Sequence, residues 1–179
     1  MKALKIIGLT LIGIITLVLI TGLFVNGKYD VEREVTIDKP KQEVFDYVKL
    51  LKNQDNFSVW AQKDPSMKKE FTGQDGTVGC MSSWESTDPD VGAGEQKIIK
   101  IDEGNRIDYE LHFIEPFEST DYAFLSTVAL NDSVTSVKWG FNGKMKYPMN
   151  LMMLFMDMEK MLAPDLQNGL NNLKAILEK

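Results

Sequence analysis

Reactive side chains are scarce in this 179-residue chain, which carries one histidine, His112, and one cysteine, Cys80. In the run RIDYELHF, His112 is in phase with Asp108 and Glu110, so an extended strand aims it at solvent. A surface imidazole among acids fits that position better than a catalytic base. No Gly-x-Ser-x-Gly is present and no serine or cysteine has a convincing histidine partner, which argues against triad hydrolysis. Gly73, Gly76 and Gly79 are not followed by Gly-Lys-Ser/Thr, and with Gly92 and Gly94 they read as turn glycines, not a phosphate cradle. Glu85, Asp88 and Asp90 lack the spacing of a calcium loop. Neither metal nor cofactor is expected. What remains is proton transfer by tyrosine hydroxyls with a carboxylate, and alternation places Tyr109 and Tyr122 on an inner face. The competing reading is that these amphipathic rings finish a core.

The elements that would position these groups follow from periodicity. Residues 29–37, YDVEREVTI, alternate as a first strand. Pro40 then opens a helix with Val44, Phe45, Val48 and Leu51 as its apolar stripe, and a short helical connector runs through Trp60. Six strand-like runs follow: 68–72, 77–85, 95–101, 106–113, 120–130 and 134–142. Ile107, Tyr109, Leu111 and Phe113 form a buried face in one of them; the same logic puts Tyr122, Phe124, Val128 and Leu130, then Val137, Trp139 and Phe141, inward. From Leu151 to Leu177 apolar residues recur at spacings of three and four, with Pro164 expected to kink or restart the helix near Leu162. Seven of the ten methionines lie between Met145 and Met161, and Met149, Met152, Met153 and Met156 share a helical face. Flexible, polarizable methionine suits an adaptable binding wall as well as an ordinary core.

Ahead of all this, Ile6–Val25 runs without a charge, and at about 1.5 Å per residue matches a hydrocarbon core of about 30 Å. It exceeds a signal-peptide apolar region, and Leu23-Phe24-Val25-Asn26 offers no small-x-small cleavage site, so an uncleaved anchor is expected. Lys2 and Lys5 with the terminal amine nearly balance Lys28, Arg33 and Lys39; the reading preferred is N-terminus cytoplasmic and domain extracytoplasmic. Residues 1–28 thus read as a membrane anchor and 29–179 as one domain. Removing Lys2 and Lys5 from the net charge of −6 leaves −8, which disfavours nucleic acid as a partner. A lone cysteine allows neither a disulfide framework nor a cysteine-based zinc site.

Several stretches together carry a family likeness: Pro40-x-x-x-Val44-Phe45, Trp60-Ala61-x-Lys63-Asp64-Pro65, Gly76-x-x-Gly79 leading to Trp84, and Gly92-x-Gly94-Glu95. To these add Tyr109-x-Leu111-x-Phe113-x-x-Pro116-Phe117, Val137-x-Trp139, Phe155-Met156-Asp157-Met158 and Gly169-Leu170-x-x-Leu173-Lys174. From Tyr29 to Lys179 the chain resembles the SRPBCC superfamily of START-like or Bet v 1-like helix-grip domains, particularly its small bacterial branch labelled polyketide cyclase/dehydrase. The resemblance implies an α+β fold in which a seven-stranded antiparallel sheet wraps on a long C-terminal helix, with an apolar cavity between them. It also implies that the terminal helix and the loop before it roof that cavity. The superfamily hosts carriers, receptors, cyclases and oxygenase subunits, so fold analogy selects no single activity. One histidine cannot supply a two-histidine iron site, which removes the oxygenase subunits.

The leading expectation is therefore membrane-tethered binding of a hydrophobic or amphipathic small molecule, lipid or polyketide-like. The candidate contacts are Trp60, Trp84, Tyr109, Phe113, Tyr122, Phe124, Trp139, Met152 and Met156. One alternative is a cofactor-independent cyclase, dehydratase or isomerase using Tyr109 or Tyr122 on a carbonyl substrate, which requires a nearby carboxylate of raised pKa. Another is a protein-interaction module of the membrane or envelope, which requires an exposed apolar patch over a filled interior. A cavity of about 300–1,000 Å³ would favour the small-molecule reading.

Overall fold

The computed structural model describes residues 2–179. Helix α1 (Lys2–Gly22) is apolar all round beyond Lys5, and Gly22 is its one buried residue. It is long and apolar enough to cross a membrane, a property that signal sequences share. β1 (Lys28–Ile37) follows, then α2 (Lys41–Val48), where Pro40 occupies the cap position just before the helix. The expected stripe is realised: Val44, Phe45, Val48 and Leu51 are all buried. A single turn of 3-10 helix (Leu51–Asn53) and two short helices, α3 (Gln54–Phe57) and α4 (Val59–Lys63), carry the chain to the sheet.

Six more strands complete an antiparallel sheet: β2 (Lys68–Thr72), β3 (Met81–Glu85), β4 (Ala93–Asp102), β5 (Arg106–Glu115), β6 (Ser119–Asn131) and β7 (Val134–Lys144). Their order is β1-β7-β6-β5-β4-β3-β2, so β2 through β7 form one meander and β1 closes onto its last strand. Residues 77–80, expected in a strand, turn instead: the Cys80 amide donates to the Thr77 carbonyl at 3.1 Å, and Gly79 holds a φ of +94° that a side chain would strain. α5 (Met158–Leu177) packs across the inner face of the sheet, with Leu166, Leu170 and Leu173 fully buried against Val31, Ile37 and Val137 in one core.

Two expectations are corrected. In β6 the inward residues are Asp121, Ala123, Leu125 and Thr127, so Tyr122, Phe124 and Val128 lie on the outer face, and Leu130, also expected inward, is exposed near the strand's end. Both parities of this strand carry apolar side chains, and a shift of one residue exchanges the faces. Its neighbours decide. Ala123 is in register with Tyr109 on β5 and Phe141 on β7, two inward rings between which it places a methyl group. Phe124 instead lies outside over Gly140, where a Cβ would collide with its ring, and the Arg106 guanidinium covers it 3.7 Å from the ring centroid. The second correction concerns the terminal helix. It starts at Met158, where the Asp157 carboxylate caps it by accepting the Lys160 amide at 3.2 Å; Met149–Leu154 forms a separate 3-10 segment. The break expected near Leu162 thus falls before Met158, and Pro164 lies inside α5 without ending it.

Candidate functional site

A cavity of about 220 Å³ opens between the inner face of the sheet and the helices α3, α4 and α5. Two glycines place its aromatic walls. Trp139 stands on β7 with its six-membered ring against Gly169 of α5, 2.7 Å from where a Cβ would sit. Trp84 on β3 lies in the same way over Gly94 of β4, at 2.6 Å. Around them the rings interlock edge to face: Trp60 and Phe57 on Trp139, at centroid distances of 6.0 and 5.5 Å, and Trp84 on Phe113 at 6.0 Å. Phe141, Leu111, Ala123 and Leu162 complete an apolar lining. The Trp84 indole donates to the Val91 carbonyl at 3.3 Å, which fixes that ring and leaves its face to the cavity.

Polar groups enter at two levels. In the more exposed part of the lining, Lys69 of β2 and Asp55 of α3 form an ion pair at 2.5 Å that joins strand to helix. Deeper, Gln54 is only 7 % exposed, lines the cavity, and its Nε2 has no hydrogen-bond partner. Leaving a buried amide N–H unpaired costs about 1–3 kcal/mol. The Tyr109 hydroxyl is fully buried beside the Gln54 amide, and neither group completes a well-formed hydrogen bond. Burial drives the Tyr109 pKa far upward; the Gln54 amide beside it opposes this in part, and Asp75 and Asp108 reinforce it. Tyr109 is consequently a neutral phenol at any physiological pH, a hydrogen-bond donor and not a base.

The sequence-derived candidates divide accordingly. Trp60, Trp84, Phe113 and Trp139 meet in the cavity wall, whereas Tyr109 is fully buried and is not part of the lining. Tyr122 and Phe124 are on the opposite face of the sheet. Met152 and Met156 are not in the wall either: Met152 is on the 3-10 segment, and Met156 lines a second, more open groove with Tyr29, Val31 and Phe155. Helical periodicity grouped these methionines as one helix with α5, whereas the chain breaks between them. Gln54, Phe141 and Ala123 were missed; a lone glutamine in a polar connector carries no pattern that distinguishes it.

A carboxyl of raised pKa does exist on the inner face, though not beside Tyr109. Burial pushes Asp121 up, against the opposing influence of hydrogen bonds from Tyr29, Ser119 and the Lys144 amide. The Tyr29 phenol is pushed up in turn, by burial and then by Asp121, and both groups occupy the space that Gly143 leaves without a side chain. Tyr29 stacks on Phe141 at 6.2 Å, which puts that ring between the pair and the cavity. Cys80 is a buried thiol whose pKa is raised by burial and by Asp75, which suits packing and not nucleophilic attack. His112 is on the wet face as expected, 3.3 Å from the Thr120 hydroxyl. Among the described residues no cluster of histidine, cysteine and carboxylate side chains could hold a metal ion.

No protein-family model and no curated protein sequence matches the chain. Solved structures do resemble it. A truncated norcoclaurine synthase from Thalictrum flavum superposes with a TM-score of 0.61 at 12 % identity, over 86 % of this chain and 96 % of that one. A Nitrosospira multiformis protein matches at 0.57 and 18 % identity, over 83 % and 96 % of the two chains. Ara h 8.0201 matches at 0.55 and 16 %, over 84 % and 98 %. At these identities the likeness is one of fold, and the fold is the Bet v 1-like helix grip.

Proposed function

We propose that this helix-grip chain binds a compact, largely apolar small molecule bearing one hydrogen-bond acceptor, and that α1 tethers the binding domain to a membrane. The observation that carries this reading is a cavity walled by Trp60, Trp84, Phe113, Trp139 and Phe141 in which Gln54, with an unpaired Nε2, is one of a few polar lining residues beside Ser58, Ser82 and Gln96 and the charged Asp55, Lys69 and Asp90. An apolar pocket with a few convergent polar groups is the usual form of a small-molecule site. Its size restricts the ligand. At about 220 Å³ the cavity lies below the roughly 300–1,000 Å³ of drug-sized sites. A substituted ring or a short acyl chain fits such a space, whereas a whole two-chain lipid exceeds it. The relatives of known fold support the reading only in kind, since norcoclaurine synthase has been solved with a transition-state analogue.

Residues 1–28 then serve as the anchor and 29–179 as the binding domain, with the N-terminus cytoplasmic and the domain outside, the sense favoured by Lys2 and Lys5. A tether of this kind keeps the cavity near the phase in which apolar compounds partition. Native mass spectrometry of the detergent-solubilised full chain, followed by extraction and mass measurement, is the test. A co-purifying compact molecule is expected, with affinity for acceptor-bearing compounds falling about two- to tenfold in Gln54→Leu. Absence of any bound molecule, together with no change in tryptophan fluorescence across a panel of small apolar ketones and esters, would overturn it.

A further inference from the structure

The 3-10 segment Met149–Leu154 lies against the end of α1 and is bound to it. The Asn150 amide, buried, donates to the carbonyls of Gly22 at 2.7 Å and Val25 at 2.9 Å, satisfying backbone groups that a helix end leaves open. Leu151 and Tyr147 pack on Gly22, where a Cβ would meet them at 3.0 and 3.2 Å. The Met145 amide donates to the Gly27 carbonyl at 3.0 Å, so the connection is short on both sides. If α1 spans a bilayer, its end at Gly22–Val25 is at the water interface, and whatever is clamped to that end is there as well.

What is clamped there is apolar and uncovered. Phe155 is 91 % exposed, and Leu23, Phe24, Met149, Met152 and Leu154 are exposed around it. Beside this patch the charge pattern inverts that of the whole chain, whose net charge is −6. Lys28 and Lys144 face one another as register partners at the start of β1 and the end of β7, and Lys146 follows two residues on. Like charges directly opposite are destabilising in a sheet, and none of the three lysines forms an ion pair among the described residues. Of the acids nearby, Asp157 pairs with Lys160 and Glu159 with Arg33, and Asp30, which lines the groove with Leu154 and Phe155, leaves one unpaired carboxylate against three lysines among the described residues. Exposed apolar side chains rimmed by uncompensated lysines match a lipid surface with anionic headgroups.

We propose that the face formed by Met149–Phe155 and the exit of α1 is inserted in the headgroup region of an anionic bilayer, so that the domain is docked on the membrane in one orientation. This rests on the reading of α1 as an anchor, and the test separates the two. An environment-sensitive fluorophore is attached at Phe155→Cys, at Ile14→Cys within α1, or at Leu130→Cys. Leu130 lies in the β6–β7 hairpin region, about 30 Å from Lys144 at about 3.3 Å per residue. Cys80 is 1 % exposed and escapes labelling. The full chain is reconstituted in phosphatidylcholine vesicles with and without phosphatidylglycerol, and nitroxide lipids serve as quenchers. Docking predicts quenching at positions 14 and 155 but not 130. At 155 it also predicts an increase with phosphatidylglycerol and a fall of about fivefold in the docked-to-free ratio for each of Lys144→Gln and Lys146→Gln. Quenching at 14 alone overturns docking and leaves the tether standing. Quenching at neither overturns both, and quenching at 155 indifferent to phosphatidylglycerol and to the lysines overturns the anionic headgroup as the partner. Protection of 155 by a cross-linked protein in place of lipid overturns the proposal in favour of a protein interface.

Discussion

Ala123→Leu separates an open cavity from a packed core by the sign of its effect. Ala123 lies on the inner face of β6, in register with Tyr109 and Phe141, and lines the cavity with Phe113 and Trp139. Leucine adds three carbons, and at about 0.8 kcal/mol for each buried group the upper bound is about 2.4 kcal/mol of stabilisation. The cavity is partly open to solvent, so part of the added surface stays wet and a gain of about 1–2 kcal/mol is expected. For a domain of this size that raises the melting temperature by about 2–4 °C per kcal/mol. Were the same space already filled, three extra carbons would overpack the core and cost about 1–3 kcal/mol, lowering the midpoint. Thermal unfolding of the full chain in mild detergent, followed by circular dichroism, reads the difference, and the same variant should lose the co-purifying ligand. A lowered midpoint with ligand retained would refute the cavity argument at its base.

On the outer face, Phe124→Ala should destabilise by about 1–3 kcal/mol through lost burial and the lost Arg106 contact while leaving ligand affinity unchanged; a matching loss of binding would place Phe124 in the site after all. Gly169→Ala gains about 0.8–1 kcal/mol of helix propensity but drives a Cβ into the Trp139 ring, so tryptophan fluorescence and ligand binding should both change even where stability is level. A spectrum and an affinity identical to the parent's would show that the ring moves freely. Asp121 binds its proton more tightly in the folded chain than unfolded, so stability is unpenalised below the ordinary aspartate range and falls as pH rises through its raised pKa. Asp64 and Glu178 act oppositely: held below their usual range by hydrogen bonds, chiefly from Ser66 and from the Asp38 amide, they stabilise above that range and lose the contribution as pH falls through their lowered pKa values. Unfolding midpoints from about pH 3 to about pH 7 should therefore flatten at the upper end in Asp121→Asn, and parallel profiles would contradict the assignment.

By itself, the sequence determined the element order, because that depends on local patterns of period two and three to four, while the helix-grip architecture was implied by the family resemblance that its motifs carry. The stripe Val44, Phe45, Val48, Leu51 and the alternation Ile107, Tyr109, Leu111, Phe113 each have one apolar face, and one face can be buried in only one way. The apolar run of α1 is legible for the same reason, since length and composition suffice to define a helix able to cross a membrane. Tertiary structure decided what local pattern leaves degenerate. β6 is apolar on both faces, and only the rings of Tyr109 and Phe141 beside Ala123, with Gly140 beneath Phe124, select which side turns inward. The methionine-rich stretch keeps a helical period across a break that Asp157 makes by capping α5, and its 3-10 turn is held by Asn150 bonding to the end of α1, more than a hundred residues away. Gln54 acquires its significance solely because distant strands seal it from water without offering its amide a partner. Such a vacancy arises from contacts among residues remote in sequence, and no period along the chain encodes it.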